Sequence, residues 1–164
     1  MLRPTKANRL TKHLLFVKRE TRPVFMMERK AGDVTGAMST FGGPGDSGVS
    51  PSEGLALMAK ADLTDPKFAY LFELEQPVAT TGLARRLDAK QAYLAMRWQY
   101  SQTSKSWLRS HKIKLTANGI TIQAQPVDYG PAEWTGRVAD ISPGAAKALK
   151  LKTNDVVTVT FPLS

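Results

Sequence analysis

A mainly β domain is what this sequence predicts, on three observations. Asn118-Gly119, the strongest hairpin turn signal in the chain, joins two runs with β character. Val156 to Phe161 is an unbroken β-branched and aromatic run after the turn-forming Thr153-Asn154-Asp155. Two further short strands end in aspartate, at Asp128 and Asp140, and the second leads into a helix start at Ser142-Pro143. With 42% hydrophobic residues in 164, the chain is long and apolar enough for one domain with a core of its own.

Residues 1–30 read as a basic N-terminal arm, in which His13 to Val17 is apolar enough for a short strand or docking segment. Residues 31–164 read as the barrel domain, with an insertion at about 50–91. It opens on a glycine-rich stretch, Met38 to Gly48, where glycine permits close backbone approach. Ser50, Pro51 and Glu53 then form a capping-box pattern that predicts a short helix over Leu55 to Lys60. Asp62 to Asp65 predicts a turn, and Phe68 to Leu74 fits a strand or a short helix equally. Ala92 to Tyr100 predicts a strand and Ser101 to Ser106 a polar loop. His111 to Thr116 alternates as a half-buried strand does, and Ile120 to Val127 is its hairpin partner. Gly136 to Ala139 predicts a strand, Ser142 to Leu149 a capped helix, and Val156 to Phe161 a central strand with that helix lying against it.

The charge is uneven. The net charge is +9, and residues 1–30 supply +7 of it through Arg3, Lys6, Arg9, Lys12, Lys18, Arg19, Arg22, Arg29 and Lys30 against Glu20 and Glu28. Such an arm is either a solvated tail or a contact for an anionic polymer. With no cysteine, disulfides and thiolate metal sites are excluded. His13 and His111 stand alone, so no metal site is expected, and no cofactor motif is present. No run approaches a membrane span, and Leu14 to Val17 is short for an export signal core. Localisation therefore stays open between the cytoplasm and a cell wall reached by a non-standard route.

The candidate chemistry lies at the two aspartate-ended strands. Asp128 precedes a Gly-Pro turn and so sits at a rim. Asp140 stands two residues before the N-cap Ser142, where the helix dipole predicts an ionised carboxylate. Two carboxyls at strand ends can share acid and base roles when their surroundings separate their pKa values. The structural alternatives are a clasp for Asp140, bonded to amides at the helix start, and turn-forming roles for Asp128 and for Asp46 in the glycine-rich loop. Trp98, inside an apolar strand, reads as core; Trp134, between the two aspartates, reads as a stacking platform.

The same segments, Val127-Asp128-Tyr129-Gly130-Pro131 and Ala139-Asp140-Ile141-Ser142-Pro143 with the alanine-rich run after them, resemble the double-psi β-barrels of rare lipoprotein A, expansins and family 45 endoglucanases. The resemblance covers about residues 120–161, and more faintly 37–48, where Ser39-Thr40-Phe41-Gly42-Gly43 is similar to the opening motif of those barrels. It implies a six-stranded double-psi β-barrel with short helices. It also implies a polysaccharide partner such as peptidoglycan, and cleavage of a glycosidic bond as a lytic transglycosylase or glycoside hydrolase, or else glycan binding alone as in expansins. In that reading Asp140, Asp128 and Asp46 are the catalytic carboxyls, and Thr40, Tyr129, Trp134 and Arg137 bind substrate. The chain departs from the pattern at Phe41, where a tyrosine is common, and in lacking the cysteines of plant expansins. A third reading, of another class, is a structural or nucleic-acid-associated protein anchored by its arm.

Overall fold

The computed structural model describes residues 32–162; the basic arm lies outside them. Six strands close into a barrel: β1 (Gly32–Thr40), β2 (Tyr93–Met96), β3 (Ile113–Ala117), β4 (Ile120–Tyr129), β5 (Ala139–Ile141) and β6 (Val156–Phe161). Their order around the barrel is β1-β5-β2-β4-β3-β6. The β1–β5 and β2–β4 pairs are parallel; the other four are antiparallel. The fold is mainly β, as predicted, with two short α-helices, α1 (Lys105–Ser110) and α2 (Pro143–Ala148).

Local chemistry explains most boundaries. Asn118 and Gly119 both take positive φ, 52° and 74°, the signature of a type I′ turn whose twist matches the flanking strands. In β3, Ile113 and Leu115 are fully buried while Lys112 and Lys114 are exposed, so the alternation of apolar and basic residues sets the register. Ser104 caps α1 by accepting from Trp107 N at 3.2 Å; this helix overlaps the predicted loop at Lys105 and Ser106 and otherwise covers Trp107 to Ser110, where six residues are too few to show periodicity in the sequence. Ser142 caps α2 by accepting from Ala145 N at 3.0 Å, with Pro143 at the first helical position, as expected. Ala145 of α2 and the C-cap Leu149 join Val157 and Val159 of β6 and Leu115 of β3 in the barrel core, and the helix also packs on β4. The outer face of the β1-β6-β3-β4 sheet carries a row of four threonines in register, with Thr35 bonded to Thr158 and Thr116 to Thr121, each at 2.9 Å.

Between β1 and β2 the chain forms turns and three short 3-10 segments. The helix expected over Leu55 to Lys60 is absent. Ser50 instead closes a turn on Ser52 N at 3.3 Å, and the apolar residues that suggested helix, Leu55 and Met58, bridge each other and bury into a second core. That core, with Phe68, Leu71, Phe72, Leu83 and Leu87, packs on Tyr93 of β2 and Val127 of β4. Val127 reaches it because β4 carries one extra residue opposite the Leu94/Ala95 step of β2, a bulge that turns an otherwise inward position outward.

The insertion is also tied by close backbone contact. Gly82 N donates to Pro51 O at 3.0 Å and Ala84 N to Glu53 O at 3.1 Å. A Cβ on Gly82 would meet backbone atoms of Ser52 and Glu53 inside van der Waals contact. Gly82→Ala is therefore expected to destabilise by about 2–3 kcal/mol, the cost of overpacking against backbone that cannot rotate away. Denaturant titration checks this, and a loss under about 0.5 kcal/mol would mean that the two segments separate easily.

Candidate functional site

Strand register brings the two aspartates together. Asp140 of β5 pairs with Ala95 of β2, and Asp128 of β4 pairs with the same Ala95 from the other side. Ser39 of β1 pairs with Asp140 in the next position. Residues in register on neighbouring strands point to the same face. Ser39, Asp140, Ala95 and Asp128 thus form one row, with the two carboxyl-bearing positions two strand spacings, roughly 10 Å, apart at the backbone. Between them stands only a methyl group. Leu94 and Ile141, one position on, face the barrel core.

The two carboxyls differ in what they touch. Asp128 Oδ1 accepts from Ala56 N at 2.8 Å, so the insertion supplies one of its partners. Burial nonetheless raises the Asp128 pKa above the ordinary carboxylate value, with the amides of Ala56 and Tyr129 pulling the other way. Asp140 Oδ1 is buried and has no hydrogen-bond partner. Burial pushes its pKa up to about 6; Arg137 and Arg97 oppose that rise, while Asp128 and Asp46 add to it. The rise runs against the low value that the helix dipole would give, yet a pKa of about 6 still leaves Asp140 mostly ionised at neutral pH, as expected, and able to hold a proton below it. Ser142, not Asp140, takes the helix amide, and the short α2 provides too little field to offset desolvation. The clasp reading of Asp140 loses its basis for the same reason.

The other expected site residues fall in two places. Tyr129, 49% exposed, follows Asp128 on β4, and Trp134, 89% exposed, stands in the loop between the aspartates. Arg137 lies at the end of that loop and donates to Asn154 Oδ1 at 2.9 Å. Arg97, beyond the end of β2, donates to Pro131 O at 2.6 Å and Arg137 O at 3.0 Å and so ties the same loop to the barrel. Asp46 and Thr40 line a separate open cleft of about 360 Å³ beside Phe41 and Pro143. Both oxygens of Asp46 are engaged, by Gly42 N at 2.7 Å and Gly48 N at 2.8 Å, which is how an aspartate closes a glycine-rich turn. Trp98 is core, as expected: it is 5% exposed and donates from Nε1 to Asp128 O at 2.6 Å, fixing the backbone behind that carboxyl.

Glu53 belongs to this neighbourhood although the sequence pattern assigned it to a helix cap. Burial raises its pKa first, followed by the charges of Asp128 and Asp46. Nothing in the sequence signals this, because Glu53 and Asp128 are 75 positions apart and meet only through the folded insertion. No known protein-family model matches the chain, and no curated protein matches it significantly.

Proposed function

We propose that this protein acts on a cell-wall-type glycan such as peptidoglycan, cleaving a glycosidic bond at the Asp128–Asp140 row of a double-psi-type barrel. The observation that carries the reading is the pair itself: two half-buried carboxyls in register on one face, one with an unpartnered oxygen and a pKa near 6. The barrel type is supported by its two parallel pairs, β1–β5 and β2–β4, within one closed six-stranded sheet.

In this reading Asp140 is the proton donor, since a carboxyl with a raised pKa holds a proton at mildly acidic pH and can pass it to a leaving oxygen. Asp128 is the second carboxyl, acting as base or stabilising the oxocarbenium charge. A separation of two strands leaves space for a water between them, the arrangement of an inverting hydrolase. Tyr129 and Trp134 offer flat faces to sugar rings, and Arg137 and Thr40 offer donors along the surface. Asp46 fits better as the hinge of the cleft loop than as an acid, because both its oxygens are occupied.

Dye-labelled peptidoglycan tests the proposal. Release by the wild type should fall at least a hundredfold in Asp128→Asn, the usual scale for loss of an acid–base group, with melting temperature held. A folded variant that releases dye at the wild-type rate would remove Asp128 from the chemistry. The second reading, a glycan-binding module without turnover, is favoured by Trp134, whose near-complete exposure suits adhesion to a polymer. Retention on insoluble peptidoglycan without release, lost in Trp134→Ala, would select it.

A further inference from the structure

Among the described residues, two buried side-chain oxygens or nitrogens have no hydrogen-bond partner, Asp140 Oδ1 and Tyr100 Oη. The second is unexplained by anything above. Tyr100 follows β2 in the segment that carries Arg97 and Trp98, and its ring packs against the barrel core. It lies 6.1 Å from the ring of Tyr129, centroid to centroid, and Lys105 Nζ sits 5.1 Å over its face. Tyr129 is in turn the neighbour of Asp128, whose carbonyl is held by Trp98 Nε1. The ring is thus fixed on several sides while its hydroxyl is left unsatisfied, near enough to Asp128 for that carboxylate's charge to act on it. Burial raises the Tyr100 pKa first, followed by the nearby Asp128 and Tyr129, so the phenol stays protonated and is a donor at neutral pH.

A buried hydroxyl without a partner is costly, and one kept in a fold calls for a reason, of which a role at a site is one. We propose that Tyr100 is a substrate-positioning residue whose phenol donates a hydrogen bond to a sugar hydroxyl bound beside Asp128. Its requirement is for a polyhydroxylated ligand, because the site then offers a phenolic donor at one end and the free Asp140 oxygen at the other. A purely apolar or aromatic ligand would leave both groups stranded. The inference rests on the glycan reading of the same site, and concerns a residue which that reading does not need.

Tyr100→Phe removes the hydroxyl and keeps the ring. Soluble peptidoglycan glycan-strand fragments serve as the probe, with binding, KM and kcat measured beside the melting temperature. Loss of one ligand hydrogen bond is expected to weaken binding and raise KM about tenfold, equivalent to about 1.4 kcal/mol, with kcat within about threefold. The melting temperature should stay level or rise, since no protein partner is lost. A lowered melting temperature would show that the phenol is bonded within the fold, and would overturn the proposal whatever the ligand. Unchanged binding and KM, with the wild type active, would overturn the role of Tyr100 alone. A wild type that neither binds nor cleaves the fragments would overturn the glycan reading and the role of Tyr100 with it.

Discussion

Asp140→Asn is expected to raise the melting temperature at pH 7 by several degrees while abolishing glycan release. The carboxyl is pushed from an ordinary value of 3.8 to about 6 by burial. A raised folded-state pKa means that the folded protein binds the proton more tightly than the unfolded chain. Asp140 therefore costs nothing below about pH 4. It destabilises progressively as pH rises from about 4 to 6, and costs a constant amount above that. Two pKa units correspond to about 2–3 kcal/mol. The neutral amide escapes that cost, so wild type and variant should coincide near pH 4 and diverge up to pH 6–7. Arg137 and Arg97 face this group and restrain the rise, and Asp128 and Asp46 add to it. The pH profile is therefore best compared in the single variant with these charges intact. Activity should show the complementary pattern, with wild-type kcat/KM falling as pH rises through about 6, where the donor loses its proton. A variant less stable than wild type at pH 7 would mean that Asp140 is bonded in the fold. A variant that still releases glycan would remove it from the chemistry.

Arg109→Met should be the most damaging single change outside the barrel core, costing about 3 kcal/mol and roughly 10 °C in melting temperature. Arg109 on α1 makes a two-pronged pair with Asp62, Nη1 to Oδ2 at 2.8 Å and Nη2 to Oδ1 at 2.9 Å. It also donates to Leu57 O at 2.7 Å and lies 4.6 Å over the Phe68 ring. Asp62 is only 4% exposed, so removing the guanidinium leaves a buried charge with the Ala59 amide as its remaining donor. Arg109→Lys should recover only part of the loss, because an ammonium cannot match both oxygens. The Arg109 hydrogen bond holds the Asp62 carboxyl below its ordinary pKa, with burial opposing and the Ala59 amide assisting. A depressed folded pKa gives stability that is present above about pH 4 and lost as pH falls further. Asp62 and Asp140 thus act in adjoining windows with opposite sign, which places greatest wild-type stability near pH 4–5 as far as these two groups decide it. Thermal melts from pH 3 to 8 check this. A flat Arg109→Met profile with unchanged melting temperature would show that the insertion does not depend on the pair.

What the sequence determined by itself was local. The Asn118-Gly119 hairpin, the Ser142-Pro143 helix start, the alternation in β3 and the β-branched β6 each follow from a few adjacent residues, and each forms as predicted. The mainly β class follows from their sum. β1 went unread because Gly32, Asp33, Gly36 and Ala37 dilute its pattern; it forms because β6 and β5 supply partners along its two edges. The insertion misled for a related reason. A capping-box pattern proposes a helix, but burying Leu55 and Met58 against Phe68, Leu71, Leu83 and Leu87, and Leu57 in the barrel core, is worth more than one short helical turn. The site divides the same way. Asp128 and Asp140 were legible as strand-end carboxyls. Their alignment on Ala95, the orphaned oxygen and the pKa near 6 were not, nor were the approach of Glu53 and the unsatisfied phenol of Tyr100. Strand order, register and burial decide those features, and all three depend on contacts between residues far apart in the chain.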